Sequence, residues 1–90
     1  MAYLLTHFWP GGTEEQYRTT LAAVGEPPEK FHAAGPTEGG FLIVAVHDSK
    51  EQSERFVQET LMPLMPLEGG LVGPPQERAC EIKNAKGLSQ

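Results

Sequence analysis

Apolar runs and helix-spaced apolar positions alternate along the chain, and together they predict the order strand, helix, strand, strand, helix, strand. Residues 2–9, "AYLLTHFW", are rich in aromatic and aliphatic types and stop at a Pro-Gly-Gly sequence, which predicts the first strand. The runs 30–34 "KFHAA", 39–49 "GGFLIVAVHDS" and 76–84 "QERACEIKN" predict the other three strands. The apolar part of the run 39–49 ends at a histidine, His47.

Two local signals predict where the helices begin and end. Residues 13–16 and 49–52 each place a hydroxyl residue three positions before a glutamine, which is the form of a capping box. Gly25 is expected to end the first helix, and Pro63 and Pro66 to end the second, because proline cannot continue a helix interior. The apolar positions at helical spacing are Tyr17, Leu21 and Val24 in the first helix, and Phe56, Val57, Thr60, Leu61 and Leu64 in the second.

This order of elements predicts an α+β fold of the split βαβ, or ferredoxin-like, type. In that βαββαβ arrangement a four-stranded antiparallel sheet carries both helices on one face. We expect a single domain over residues 1–84 and a flexible tail over 85–90. The Gly/Pro-rich segment 67–75, "LEGGLVGPP", is expected to be a loop, a short edge strand or an arm that docks elsewhere.

Both faces of the predicted sheet are apolar, which predicts a homodimer. A chain of 90 residues hides only about 60% of its unfolded surface, so a second copy packed sheet on sheet would add stability as well as cover the bare face. We expect the aliphatic side of strand 3 to face the helices and the side with the histidines to face the space between the two sheets. The two sides are Tyr3, Leu5, His7, Trp9 against Ala2, Leu4, Thr6, Phe8 in strand 1, and Phe41, Ile43, Ala45, His47 against Leu42, Val44, Val46 in strand 3.

Composition narrows the classes of partner. The formal net charge is −5, with 12 acidic and 7 basic residues and no cluster of Lys or Arg, which argues against a nucleic-acid surface. The N-terminus lacks the basic region of a signal peptide, and no run reaches the ~18 apolar residues of a membrane span. The single cysteine fits a reducing compartment. We therefore expect a cytoplasmic protein that binds neither nucleic acid nor membrane.

The three histidines are the candidate chemical groups. If strands 1 and 3 are parallel neighbours and strand 2 runs antiparallel beside strand 3, then His7, His32 and His47 meet at one end of the sheet. Imidazole moves protons near neutral pH, so these residues are predicted acid/base catalysts. The alternative is that each ring only bonds a backbone carbonyl at a strand end. The aromatic and apolar neighbours predicted to bind a ligand are Tyr3, Trp9, Phe41 and Ile43.

A zinc site is the other use of three histidines. The residues are spread over three strands without an HxH or HxxxH pair, so no metal site is predicted.

Residues 32–56, "HAAGPTEGGFLIVAVHDSKEQSERF", together with the element order and length, resemble the small dimeric α+β barrel proteins. The resemblance extends from residue 2 to about residue 84. That superfamily includes the antibiotic biosynthesis monooxygenases, which need no cofactor, as well as haem-degrading enzymes, polyketide cyclases and stress-response proteins. Sequences of this type carry an aromatic residue, often Trp, at the position that His47 occupies here, so this chain departs from the pattern there.

The resemblance implies a cofactor-free small-molecule enzyme that acts on an aromatic or polyketide-like compound by oxygenation, cyclisation or isomerisation. On this hypothesis His47 and His7 transfer protons, His32 assists, and the aromatic residues hold the ring of a small hydrophobic ligand. The alternative hypothesis is a non-catalytic binding or stress-response homodimer whose interior is filled by its own side chains. The volume of the space between the two sheets distinguishes the two hypotheses.

Overall fold

The six predicted elements form in the predicted order. A computed structural model describes residues 2–26, 29–64 and 67–87. None of the helices in these ranges is long and apolar enough to cross a membrane. The elements are β1 (Tyr3–Pro10), α1 (Glu14–Val24), β2 (Phe31–Thr37), β3 (Gly40–His47), α2 (Lys50–Phe56) and β4 (Gln76–Glu81), with a π-helical segment (Val57–Leu61) and a 3₁₀ turn (Met62–Leu64) continuing α2.

The helix starts follow the predicted local signals. The Thr13 hydroxyl accepts from the backbone N–H of Gln16 at 3.1 Å, and the Gln16 side chain accepts from the backbone N–H of Thr13 at 3.1 Å, so the first capping box is confirmed. The Ser49 hydroxyl likewise accepts from the backbone N–H of Gln52. Gly25 follows α1 with φ +80°, a conformation that favours glycine. The predicted end of the second helix at Pro66, and the tail from residue 88, lie outside the described residues.

The sheet has the order β2-β3-β1-β4, and every neighbouring pair is antiparallel. The four-stranded antiparallel sheet is therefore confirmed. The expectation that β1 and β3 run parallel is wrong, because in a split βαβ unit the parallel pair is β1 and β2. Helix α1 carries the chain past one strand position, and β3 then fills that position, antiparallel to both neighbours. As a result Tyr3 pairs with His47, and His7 pairs with Ile43.

The sheet also faces the helices with the opposite side from the one predicted. The Tyr17 ring of α1 stacks on Phe41 with centroids 4.9 Å apart, and the His47 ring lies 5.8 Å from that of Phe56 in α2. Directly opposed residues of antiparallel strands share a face, so the histidine-bearing side of β1 and β3 packs under the helices. The alternation could not reveal this, because both sides of these strands are apolar.

The segment 67–75 is an arm that docks on the chain's own core. Leu71 is 1% exposed and packs against Trp9 and Phe41. Its backbone N–H donates to the buried hydroxyl of Thr20 in α1 at 2.8 Å. A Cβ on the preceding residue, Gly70, would lie 2.7 Å from that hydroxyl oxygen, so glycine permits the close approach. The arm therefore closes the core between β1, β3 and α1.

The sheet face turned away from the helices is apolar and only partly covered. Phe31 and Leu42 are 42% and 37% exposed, and Leu4, Phe8 and Val44 are half-buried. These five residues come from the three adjacent strands β2, β3 and β1. We refer to Leu4, Phe8, Phe31, Leu42 and Val44 as the bare face. The sequence predicted that the histidine-bearing side of β1 and β3 would form this face; the side without histidines forms it instead.

Candidate functional site

A small cavity lies between the sheet and the helices. Its volume is about 50 Å³. Most of its wall is apolar and comes from both helical regions, β1, β3 and the arm at Leu71. The polar side chains that line it are His7, Tyr17, Thr20, Glu29 and His32. The cavity is thus within one chain, on the helix side of the sheet, and not in the space between two sheets.

Three of these polar groups form a continuous hydrogen-bonded chain. Tyr17 Oη lies 2.6 Å from His32 Nε2, and His32 Nδ1 lies 2.8 Å from Glu29 Oε1. A carboxylate only accepts, so the proton between them is on Nδ1. In the neutral imidazole Nε2 is then free to accept the Tyr17 O–H. The phenol, the imidazole and the carboxylate can therefore pass a proton from one end to the other.

The fold brings this chain together from three separate elements. Tyr17 lies one turn into α1; its ring stacks on Phe41 with the planes 28° apart, and its hydroxyl end meets the His32 ring, whose plane lies within 14° of its own. His32 lies at the start of β2 and Glu29 in the connection that leads into it. Since the Glu29 side chain is only 5% exposed, its carboxylate is placed by the fold rather than by solvent.

The pKa of Tyr17 is raised above its ordinary value of 10.0. Burial is the main cause and the Glu29 charge the second, because both disfavour a phenolate. Tyr17 is consequently a neutral phenol in the resting protein, and a phenolate formed there is a stronger base than one in water. Both properties suit a group that gives and retakes a proton.

His47 lies behind Glu29, outside the cavity wall. The side chain is fully buried, and its Nε2 is 3.6 Å from Glu29 Oε2, beyond hydrogen-bond range. Neither ring nitrogen has a hydrogen-bond partner among the described residues. Burial lowers the pKa of His47 below 6.5, and the nearby Glu29 charge only partly opposes this, so the ring is neutral. His47 therefore lies next to the hydrogen-bonded chain only at Glu29.

His7 lies in a different part of the cavity wall. Its Nε2 is 3.1 Å from Glu77 Oε2 of β4, and its ring meets the edge of Trp9 at 6.2 Å. The residue opposite His47 is Tyr3, four positions earlier in β1. The three histidines thus do not gather at one end of the sheet as predicted. His32 and His47 meet at Glu29, and the antiparallel direction of β3 separates His7 from both.

Two of the four predicted ligand-binding residues line the cavity, and two do not. Trp9 and Ile43 line the cavity. Phe41 packs beneath Tyr17 in the core, and neither it nor Tyr3 is part of the wall. Among residues 2–26, 29–64 and 67–87, no three His, Cys, Asp or Glu side chains are arranged to hold a metal ion.

Sequence reasoning missed Tyr17 and Glu29, the two groups at the ends of the proton chain. Tyr17 was interpreted only as part of the buried face of the first helix. Glu29 precedes His32 by three residues, a spacing short enough to suggest a carboxylate–imidazole pair at the start of a strand. That spacing was the available signal, whereas nothing local indicated that α1 would place a phenol on the other side of the ring.

No family model and no curated protein matches the chain. A solved structure from Chloroflexus aurantiacus J-10-fl does match, with a TM-score of 0.64, 16% identity, and 99% of this chain aligned to 100% of that one. It is described as a candidate antibiotic biosynthesis monooxygenase. The chain has the same fold. This confirms the ferredoxin-like α+β architecture that the resemblance of residues 32–56 implied.

Proposed function

We propose that this protein is a small-molecule enzyme that moves protons through Tyr17, His32 and Glu29. The observation that carries the proposal is the unbroken chain of hydrogen bonds, 2.6 Å and 2.8 Å long, ending in a cavity. The fold shared with a protein described as a candidate antibiotic biosynthesis monooxygenase supports a small-molecule enzyme. The acid/base role moves from His47 to His32, with Tyr17 as the group that meets the substrate.

The three groups are proposed to act like a catalytic triad, in which a histidine takes a proton from one neighbour and a carboxylate stabilises the charge that the histidine gains. As Tyr17 Oη takes a proton from a C–H or O–H group of the substrate, its own proton passes to Nε2 of His32. The imidazolium formed there faces the Glu29 carboxylate, which stabilises its charge in a site with little water. His47 is proposed to position Glu29, and the His7–Glu77 pair to supply a second acid/base group across the cavity.

The substrate proposed is an aromatic or polyketide-like compound with an acidic C–H or a phenolic O–H. Loss of that proton leaves an anion, which can be reprotonated elsewhere in an isomerisation or cyclisation, or can react with O₂ in a cofactor-free oxygenation. The cavity is smaller than the ~300–1,000 Å³ of typical ligand pockets, so a ring compound binds only if the walls move apart. The arm at Leu71 forms a part of the wall that belongs to no helix or strand.

The small cavity favours a second candidate function, a binding or stress-response homodimer without catalysis. In that case the interior is filled by its own side chains, and the Tyr17–His32–Glu29 chain only holds α1 against β2. Proton transfer to a bound compound separates the two functions, because a purely structural hydrogen-bond network leaves ligand protons in place.

We also propose that two copies pair through the bare face. Support comes from the partly exposed Phe31 and Leu42, which belong to an apolar surface drawn from three adjacent strands. A second copy of this sheet would cover it with matching apolar side chains. The catalytic cavity lies on the other side of the sheet, so each copy would keep a complete site.

Deuterium exchange tests the proposed chemistry without knowledge of the natural substrate. 2-Indanone is a small aromatic ketone with enolisable C–H groups, and NMR in D₂O follows their exchange. We expect the wild-type protein to accelerate exchange over buffer and Tyr17→Phe to lower the acceleration by about 100-fold or more. Glu14→Gln, which removes an exposed carboxylate from the same helix, is the matched control and should keep the wild-type rate. Wild-type exchange no faster than buffer would support the non-catalytic alternative.

A further inference from the structure

Trp9 carries a buried polar atom that the fold leaves without a partner. The residue is 1% exposed and lines the cavity. Its indole Nε1–H has no hydrogen-bond acceptor among the described residues. Buried donors in native proteins are almost always paired, so an unpaired one next to a cavity needs an explanation.

The neighbours of Trp9 offer no acceptor. Phe41 and Leu71, which pack against it in the core, are hydrocarbon side chains. The His7 ring meets the indole edge-on with centroids 6.2 Å apart, and His7 Nε2 bonds Glu77 at 3.1 Å; neither nitrogen of His7 makes a hydrogen bond to the indole N–H. The indole nitrogen is closed off from a water-sized molecule in the resting cavity, so only a group that moves the walls apart reaches it.

We propose that the ligand of this cavity supplies the missing acceptor, a carbonyl or enolate oxygen bound by Trp9 Nε1–H. The inference rests on the proposed function, since it places the ligand oxygen at Trp9 and the neighbouring C–H at Tyr17. The indole is a donor only, so it selects compounds with an oxygen acceptor over ammonium compounds and plain hydrocarbons. The ligand class is thus the enolisable ketones and their vinylogous relatives.

The same contact would stabilise charge during proton transfer. When Tyr17 Oη takes the proton, the electron pair of the C–H bond forms a C=C bond and the carbonyl becomes an enolate oxygen. The proton that leaves Tyr17 goes to His32 Nε2. Negative charge grows on the oxygen at Trp9, where the N–H donates more strongly to it than to the neutral carbonyl.

Binding can be measured directly because Trp9 is the only tryptophan of the chain. The protein therefore gives a single indole N–H resonance in a ¹H–¹⁵N spectrum. We expect 2-indanone to shift this proton downfield and to bind about tenfold more tightly than indane, which has the same shape without the oxygen. Indane is the matched control ligand.

Two replacements of Trp9 test the contact itself. Trp9→Phe removes the N–H together with part of the ring. Biosynthetic replacement by benzothienylalanine removes the N–H and keeps the bicyclic shape, so it covers the case in which Trp9→Phe does not fold. In both proteins 2-indanone and indane should bind with equal affinity, followed through chemical shifts of the ligand.

Three results would overturn the inference: equal binding of the two ligands to the wild type, no binding of either at millimolar concentration, or a ketone preference that survives loss of the N–H. Failure of the proposed function is distinguishable. Ketone binding through Trp9 without deuterium exchange supports the contact and removes the catalysis. Exchange that is unchanged by both replacements supports the catalysis and removes the contact.

Discussion

His47 ends the most apolar strand of the chain as a neutral ring inside the core. It lies against Phe56 with centroids 5.8 Å apart and is fully buried. Burial lowers its pKa and the His32 charge acts the same way, while Glu29, Gln52 and Asp48 act in the opposite direction. Because burial is the largest effect, protonation of the folded protein costs more than protonation of the unfolded chain.

This burial makes stability depend on pH in a defined direction. The pKa of His47 in the folded protein is below 6.5, so above that pH the ring is neutral in both states and does not lower the stability. As the pH falls, the unfolded chain takes up a proton before the folded protein does, which favours unfolding. We predict that the unfolding free energy of the wild type falls by up to about 1.4 kcal/mol per pH unit below pH 6.5. In His47→Leu this fall should be absent. Urea unfolding of wild type and variant between about pH 5 and 8 measures it. Parallel curves for wild type and His47→Leu would contradict the prediction.

Tyr17 should lose its proton at an unusually high pH in the folded protein. Its pKa is above 10.0, so its contribution to stability is present below that pH and is lost as the pH rises through the folded pKa. The chain has two tyrosines, and we predict that phenolate absorbance of the wild type shows a phase above pH 10 that Tyr17→Phe lacks. If that late phase persists in the variant, Tyr17 is not the buried phenol of the chain.

The residues of the site were predictable only in part, and the reason is geometric. His32 and Trp9 were identified because imidazole and indole are chemically distinctive types. Tyr17 and Glu29 were missed because their roles depend on which helix packs over which strand. His47 was assigned to catalysis, yet burial that the sequence could not show places it behind Glu29, outside the cavity.

The helices were easier to predict than the sheet because their signals are local. Thr13 and Gln16 meet within one turn, so the capping box is readable from four residues. The direction of β3 relative to β1 depends instead on where the chain crosses the sheet, which no short stretch encodes. The error in direction then moved His7 to the wrong end of the sheet relative to His47.

The arm over residues 67–75 should depend on one buried hydrogen bond. Thr20→Val keeps the shape of the side chain and leaves the N–H of Leu71 without its acceptor, so we predict a loss of about 1–3 kcal/mol of unfolding free energy. Thr19→Val is the matched control, since its hydroxyl bonds only the carbonyl of Glu15 within α1. Urea denaturation compares the two. An equal effect of both variants would show that the arm is not anchored at Thr20.

Pairing through the bare face is the proposal that concerns the molecule as a whole. Leu42→Glu would place a charge between two apolar sheets, and we predict that it weakens the dimer by about 100-fold or more. Ala22→Glu, on the exposed side of α1, is the matched control and should leave association unchanged. Sedimentation equilibrium measures both. A wild-type protein that is monomeric at micromolar concentration would contradict the pairing.

The central claim is that a phenol on α1, an imidazole on β2 and the carboxylate before β2 share protons as one unit. The ¹⁵N resonances of the His32 ring test it most directly, because they report which nitrogen carries the proton. We predict a proton on Nδ1, held toward Glu29, and an unprotonated Nε2 that accepts from Tyr17. A proton on Nε2 in the resting protein would contradict the claim, since Tyr17 could not then donate to His32.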